Sequence, residues 1–237
     1  MTDANDIDID IADMLLEKPI SFSIKGVQYM LHQPSLGAYH LILRQIRSLQ
    51  LAYDTIHLNP YTEMLKACQD KKDAVCRILA YYSFNKREDL FDEDKVGKRM
   101  EVFSCLDAKD LASLLLTVLT WTDIEAYIKH FGIDKERILR QRIAALQRKT
   151  SRTVNFGGRS VYGSLIDYAC QRYGWTMDYV VWGISYANLQ MLMADATSSA
   201  YLSEEEGRKL GIGGGDMQMI DADDPKNAAL LRQMFNG

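Results

Sequence analysis

The residue types that do chemistry are present in this chain but scattered. His32, His40, His57 and His130 each stand alone. No H-E-x-x-H or H-x-E…C-x-x-C pattern joins them, so a catalytic zinc, which needs convergent N, O or S ligands, has no ligand set. Cys68, Cys76, Cys105 and Cys170 form no C-x-x-C pair. Cys68 and Cys76 are eight positions apart, a poor spacing for one metal on one helix. All four read as buried, reduced thiols. Tyr162-Gly163-Ser164 is not the G-x-S-x-G elbow that exposes a nucleophilic serine. Gly211-Ile212-Gly213-Gly214-Gly215 lacks the Lys-Ser or Lys-Thr that a phosphate loop uses, and reads as a linker. Glu88-Asp89 and Asp92-Glu93-Asp94 lack the glycine and the spacing of a calcium loop. The expectation is a chain with no catalytic, cofactor or metal site, and so not an enzyme.

Composition and charge narrow the partners. The chain has 237 residues and a formal charge of -4, with 47% hydrophobic and 25% charged residues. These are ordinary globular values, enough for a sizeable core. Mean hydropathy is -0.20, and no apolar run approaches the ~18 residues of a membrane span. Residues 1–17 carry Asp3, Asp6, Asp8, Asp10, Asp13 and Glu17 and no basic residue. A secretory signal needs a basic start and an apolar stretch, so the expected location is the cytoplasm. Residues 129–159 hold nine basic and two acidic residues, a net +7. This segment reads as a solvated helix face and loop, or as an electrostatic contact with an acidic partner through residues such as Arg137 and Arg140.

The elements that would position these residues are mostly helical. Ile20, Phe22 and Ile24 alternate with serines, Lys25-Gly26 suits a turn, and 27–32 resumes the alternation: a β-hairpin. Pro34 stops the strand, and Ser35 N-caps a helix to about residue 52. Apolar periodicity places further helices at 61–67, 73–82, 93–103 and 109–119, with 85–92 as a charged connection. Thr122 and Glu125 have capping-box spacing. Gly132 closes that helix, and Asp134 N-caps a basic helix to about residue 148. The expected class is mainly α. Its parts are an acidic N-terminal segment (1–18), a β-hairpin plus helical domain (19–148), a basic mobile loop (149–159), an aromatic-rich helical module (160–202) and a flexible tail (203–237) with room for a short helix.

The module at 160–202 holds the sharpest signal. Tyr162, Tyr168, Tyr173, Trp175, Tyr179, Trp182 and Tyr186 lie close together. At helical spacing such residues build a core, or they form an interface, where Trp and Tyr dominate. Met177, Met191 and Met193 would add an adaptable apolar surface. One helix from Thr176, kinked at Gly183, would put Tyr179 and Tyr186 on one face and Trp182 and Met193 on another. These four, with Arg137 and Arg140, are the candidate partner-binding residues.

Val161-Tyr162-Gly163-Ser164-Leu165-Ile166-Asp167, Arg172-Tyr173-Gly174-Trp175-Thr176-Met177-Asp178-Tyr179-Val180-Val181-Trp182-Gly183-Ile184-Ser185 and Leu189-Gln190-Met191-Leu192-Met193-Ala194-Asp195-Ala196 resemble the C-terminal part of tail assembly chaperone-like proteins of tailed phages and prophages. Ile24-Lys25-Gly26-Val27-Gln28-Tyr29 and Gln33-Pro34-Ser35-Leu36-Gly37 are similar to the opening of such proteins. The resemblance covers 160–200 and, more loosely, 20–48. It implies a non-enzymatic role in the host bacterial cytoplasm. The chain would hold a tape measure protein soluble during tail assembly, with the tail tube protein as a further partner and no nucleic acid or membrane. The alternative is another helical interaction module, a virion structural component or a nucleic-acid-associated regulator using 129–159.

Overall fold

The structure, a computed structural model, describes residues 4–52, 58–121, 124–150, 159–197 and 199–211. It is mainly α, with one hairpin. β1 (Ile20–Ile24) pairs antiparallel with β2 (Val27–Leu31), Ile20 opposite Leu31 and Ile24 opposite Val27. Lys25 and Gly26 both take positive φ, 50° and 81°. That is the sense of a tight hairpin turn matching strand twist, and glycine enters it without a Cβ clash.

Helices follow as the apolar period requires. They are α1 (Ala4–Leu15) ahead of the hairpin, then α2 (Leu36–Leu49), α3 (Pro60–Asp70), α4 (Lys72–Tyr82), α5 (Arg87–Leu90), α6 (Glu93–Ser104) and α7 (Ala108–Thr120). α8 (Glu125–His130), α9 (Ile133–Thr150), α10 (Val161–Tyr173), a π-helical turn (Tyr179–Gly183), α11 (Tyr186–Ala194) and α12 (Glu204–Leu210) complete the described elements. Ser35 caps α2 by accepting from the Ala38 N–H, which fills one of the four orphan donors of the first turn.

α4 is the central helix, packed against α2, α6 and α7. Val75, Ile78 and Leu79 of α4 are fully buried, as are Ile42 of α2, Val96 and Phe103 of α6, and Leu111, Leu115 and Val118 of α7. Phe22 stacks on Phe103 at 5.9 Å between ring centroids, which seats the hairpin on α6. The His32 N–H donates to the Tyr82 carbonyl at 2.7 Å, and the Tyr82 hydroxyl donates to the Val118 carbonyl at 3.0 Å. A buried tyrosine needs such an acceptor, because an unpaired hydroxyl in the core is costly.

The chain divides into two compact units, Met1–Glu136 with Asn155–Thr197, and Arg137–Val154 with Ser198–Gly237. This differs from the expected separation of 19–148 from 160–202. Leu36 of α2 shares an apolar cluster with Ala169, Val180, Ile184 and Leu189, so the aromatic module packs as part of the first unit. In the second unit, the Gln147 amide donates to the Tyr201 carbonyl at 3.1 Å.

Several local expectations also change. The basic helix starts at Ile133, so Asp134 sits in its first turn rather than capping it. The start of the tail is helical: Ser203 and Glu206 form a full capping box on α12. Part of the charged connection is the single turn α5. α9 runs through Thr150, and the rest of the expected loop, 151–158, lies outside the described residues, as do Thr122, His57 and the tail beyond 211. No helix among the described residues is long and apolar enough to cross a membrane.

Candidate functional site

The expected helix through 179–193 is two elements. Thr176 Oγ1 accepts from the Tyr179 N–H and starts a π-helical turn at Tyr179–Gly183. Ile184 is then extended, with φ -119° and ψ 145°. Ser185 restarts the chain as N-cap of α11, accepting from the Asn188 N–H. Two backbone contacts fix the break: Ser185 bridges Ser35, and the Tyr186 N–H donates to the Pro34 carbonyl at 2.8 Å. Tyr179 and Tyr186 therefore do not share a helix face, and neither do Trp182 and Met193.

Each candidate residue has its own environment. Trp182 is half-buried, and its ring lies over Gly37, where a Cβ would approach the indole carbons to 2.5 Å. The Arg87 guanidinium sits 5.0 Å over the Trp182 ring and pairs with Asp178 at 3.3 Å. Phe91 meets the same indole edge-on at 5.8 Å. Tyr186 stacks on Tyr39 at 4.5 Å, and burial, then Tyr39 and Tyr162, push its hydroxyl pKa up. Met193 is half-buried on α11. Arg137 is exposed and Arg140 half-buried; both belong to the second unit.

Tyr179 is the candidate most open to solvent among the four apolar ones. It is 43% exposed and closes an aromatic ladder, Tyr173 to Trp175 at 4.7 Å and Trp175 to Tyr179 at 5.1 Å. Met177 beside it is 63% exposed, and Phe91 is 57% exposed. The turn thus displays Met177 and Tyr179 outward, and its Trp182 carries Phe91 and Arg87 of α5. Sequence reasoning missed Phe91 and Arg87, because a four-residue helix gives no periodic signal. It also missed Gly37, whose role shows only once an indole lies on it.

Of the four cysteines expected to be buried, Cys68 and Cys76 are, whereas Cys105 is exposed and Cys170 half-buried. Burial pushes the Cys68 and Cys76 thiols up to about 11, so they stay protonated at neutral pH and are poor nucleophiles or ligands. Burial holds His32 below its ordinary pKa. Among the described residues, no group of three or more His, Cys, Asp or Glu side chains is placed to share a metal ion. A small cavity of about 140 Å³ beneath Trp182 is lined by Glu17, His32, Gln33 and Ser185. No protein-family model, curated protein or solved structure matches the chain.

Proposed function

We propose that this chain is a non-enzymatic assembly chaperone of the tailed-phage kind, which keeps a tape measure protein soluble during tail assembly. The observation that carries the reading is the exposure of Met177, Tyr179 and Phe91 around the π-helical turn. Large apolar side chains displayed together mark a contact for another protein. A methionine among aromatics adapts to irregular apolar stripes on a partner helix. The residues carrying the family resemblance include this turn, which supports the same partner. Trp182 serves as the seat of the surface rather than as its contact face. The tail tube protein is the second proposed partner.

Co-expression with the tape measure protein tests this reading. The expected outcome is a soluble pair that co-purifies, with the tape measure insoluble alone. A tape measure equally insoluble with and without the chain would contradict it. A second reading, contact with nucleic acid through the basic segment, draws on exposed Arg137 and Arg142. It requires DNA binding that falls steeply with salt, as counterion release dictates.

A further inference from the structure

Lys95, Lys98, Arg99 and Val102 recur along α6 at spacings of three and four, so they share one helix face. That face is one wall of an open groove of about 550 Å³. The other walls are Tyr29 of β2, the Ser83-Phe84-Asn85 connection after α4, and Asp89 of α5. The groove therefore sets three basic residues and one acidic residue beside two aromatic rings. None of these residues belongs to the π-helical turn.

The three basic residues are not equivalent. The Lys95 ammonium is committed, 2.6 Å from an Asp89 oxygen and 3.9 Å from one of Asp92. Arg99 is half-buried, and its guanidinium carbon lies 5.1 Å over the Tyr29 ring and 5.2 Å over the Phe84 ring. Contacts with ring faces hold a guanidinium in place without consuming its N–H donors. No hydrogen bond or ion pair joins the Arg99 side chain, or that of exposed Lys98, to another described residue. A positioned guanidinium and an ammonium beside it thus keep their donors for a ligand. The ligand they suit is an oxyanion, because the planar guanidinium matches two coplanar oxygens.

We propose that this groove binds an acidic segment of a partner protein, with Arg99 as the fork for one carboxylate and Lys98 as the second cation at its rim. Charge selects the carboxylate over a phosphate chain. Asp89 stands in the groove wall, and Glu88, Asp92, Glu93 and Asp94 belong to the same stretch of sequence. A polyanion would meet these acidic residues, whereas a single carboxylate needs only Arg99 and Lys98. The groove is too large for a lone carboxylate, and Tyr29, Phe84 and Val102 offer apolar wall to the residues flanking the acid. The partial burial of Arg99 makes its pairing stronger than that of a surface ion pair, which water screens. The proposal rests on this groove alone and does not depend on the chaperone reading.

The test titrates the full isotope-labelled chain, followed by NMR, with the peptide acetyl-Gly-Leu-Glu-Leu-Gly-amide, with its glutamine counterpart and with inorganic phosphate. The expected result is a saturable shift of the Arg99 Nε–H signal and of the backbone amides at 83–85 and 95–102 with the glutamate peptide. The glutamine peptide should bind about tenfold more weakly or worse, the loss of a hydrogen-bonded charge pair. Arg99→Gln should weaken the glutamate peptide by a similar factor. That change also removes the two ring contacts, so Lys98→Gln, at an exposed position, is the second variant. It should weaken binding roughly two- to fivefold, as expected for an exposed charge pair, with Tm unchanged. The absence of a saturable shift with the glutamate peptide, or equal binding of the two peptides, would overturn the proposal. So would unchanged affinity in Lys98→Gln or in a folded Arg99→Gln chain. Phosphate binding more tightly than the glutamate peptide would assign the groove to a phosphate ligand and overturn it too.

Discussion

Two aromatic clusters in this chain use the same residue types to opposite ends. Around the hairpin, Phe22, Tyr29 and Phe103 pack ring on ring, with Phe103 fully buried and Tyr82 nearly so. Around the π-helical turn, Tyr173, Trp175 and Tyr179 pack with comparable spacing, yet Tyr179, Met177 and Phe91 remain open to solvent. Ring contacts alone therefore do not identify a core. The difference lies in what covers the outer face: α6 and the hairpin in the first case, and no described element over Met177 in the second. The first cluster holds the fold together. The second leaves Met177, Tyr179 and Phe91 exposed, and these are the residues of the proposed contact surface.

The comparison breaks most sharply at Phe103. Phe103→Ala opens a cavity between β1 and α6 and should cost about 3–5 kcal/mol. Thermal or denaturant unfolding measures this, and a loss below about 1 kcal/mol would show that the first cluster is not the structural one. Gly37→Ala probes the join between the two regions. The new Cβ would meet the Trp182 indole at 2.5 Å, so the ring must move, at about 1–3 kcal/mol for overpacking. A shifted tryptophan emission should accompany the lower Tm. An unchanged Tm and emission would mean the indole is not seated on α2.

The smallest stability effect is the pH dependence carried by His32. Burial lowers its pKa in the folded chain. The unfolded chain then takes up the proton first as acid is added. Stability linked to His32 is complete above the ordinary histidine value of about 6.5 and is lost as pH falls below it. His32→Gln should therefore lose less Tm between pH 7 and pH 5 than the unsubstituted chain. An equal loss would place the titrating group elsewhere.

The fold was legible in the sequence where one periodicity ran long enough. The alternation at Ile20, Phe22 and Ile24 and the turn at Lys25-Gly26 specified the hairpin, and the apolar stripes of α2, α4, α6 and α7 stood within a few residues of their observed ends. The aromatic module was legible as a place but not as a geometry. Ser185 followed by Asn188 carries an N-cap signal, yet Val180 through Met193 also reads as one apolar stripe, and tertiary contacts with Pro34 and Ser35 decide for the break. The partition into units was not legible, because Leu36 packing against Val180 and Leu189 joins residues far apart in the chain. Nor were the hydrogen bonds that Gln33 and Asn188 donate to the Met14 and Leu15 carbonyls at the end of α1, since both are ordinary polar residues until a helix end lies beside them.

The central claim is that the open cluster is a contact surface and not a piece of core. Met177→Ala with Tyr179→Ala in one chain tests it most directly, with Tm and tape measure binding read on the same preparation. Neither side chain is buried, so Tm should stay nearly unchanged, with each substitution within about 0.5 kcal/mol. Binding should weaken by about 2 kcal/mol or more, as at an interface hot spot. A variant that keeps full binding, or one that loses several kcal/mol of stability, would contradict the account.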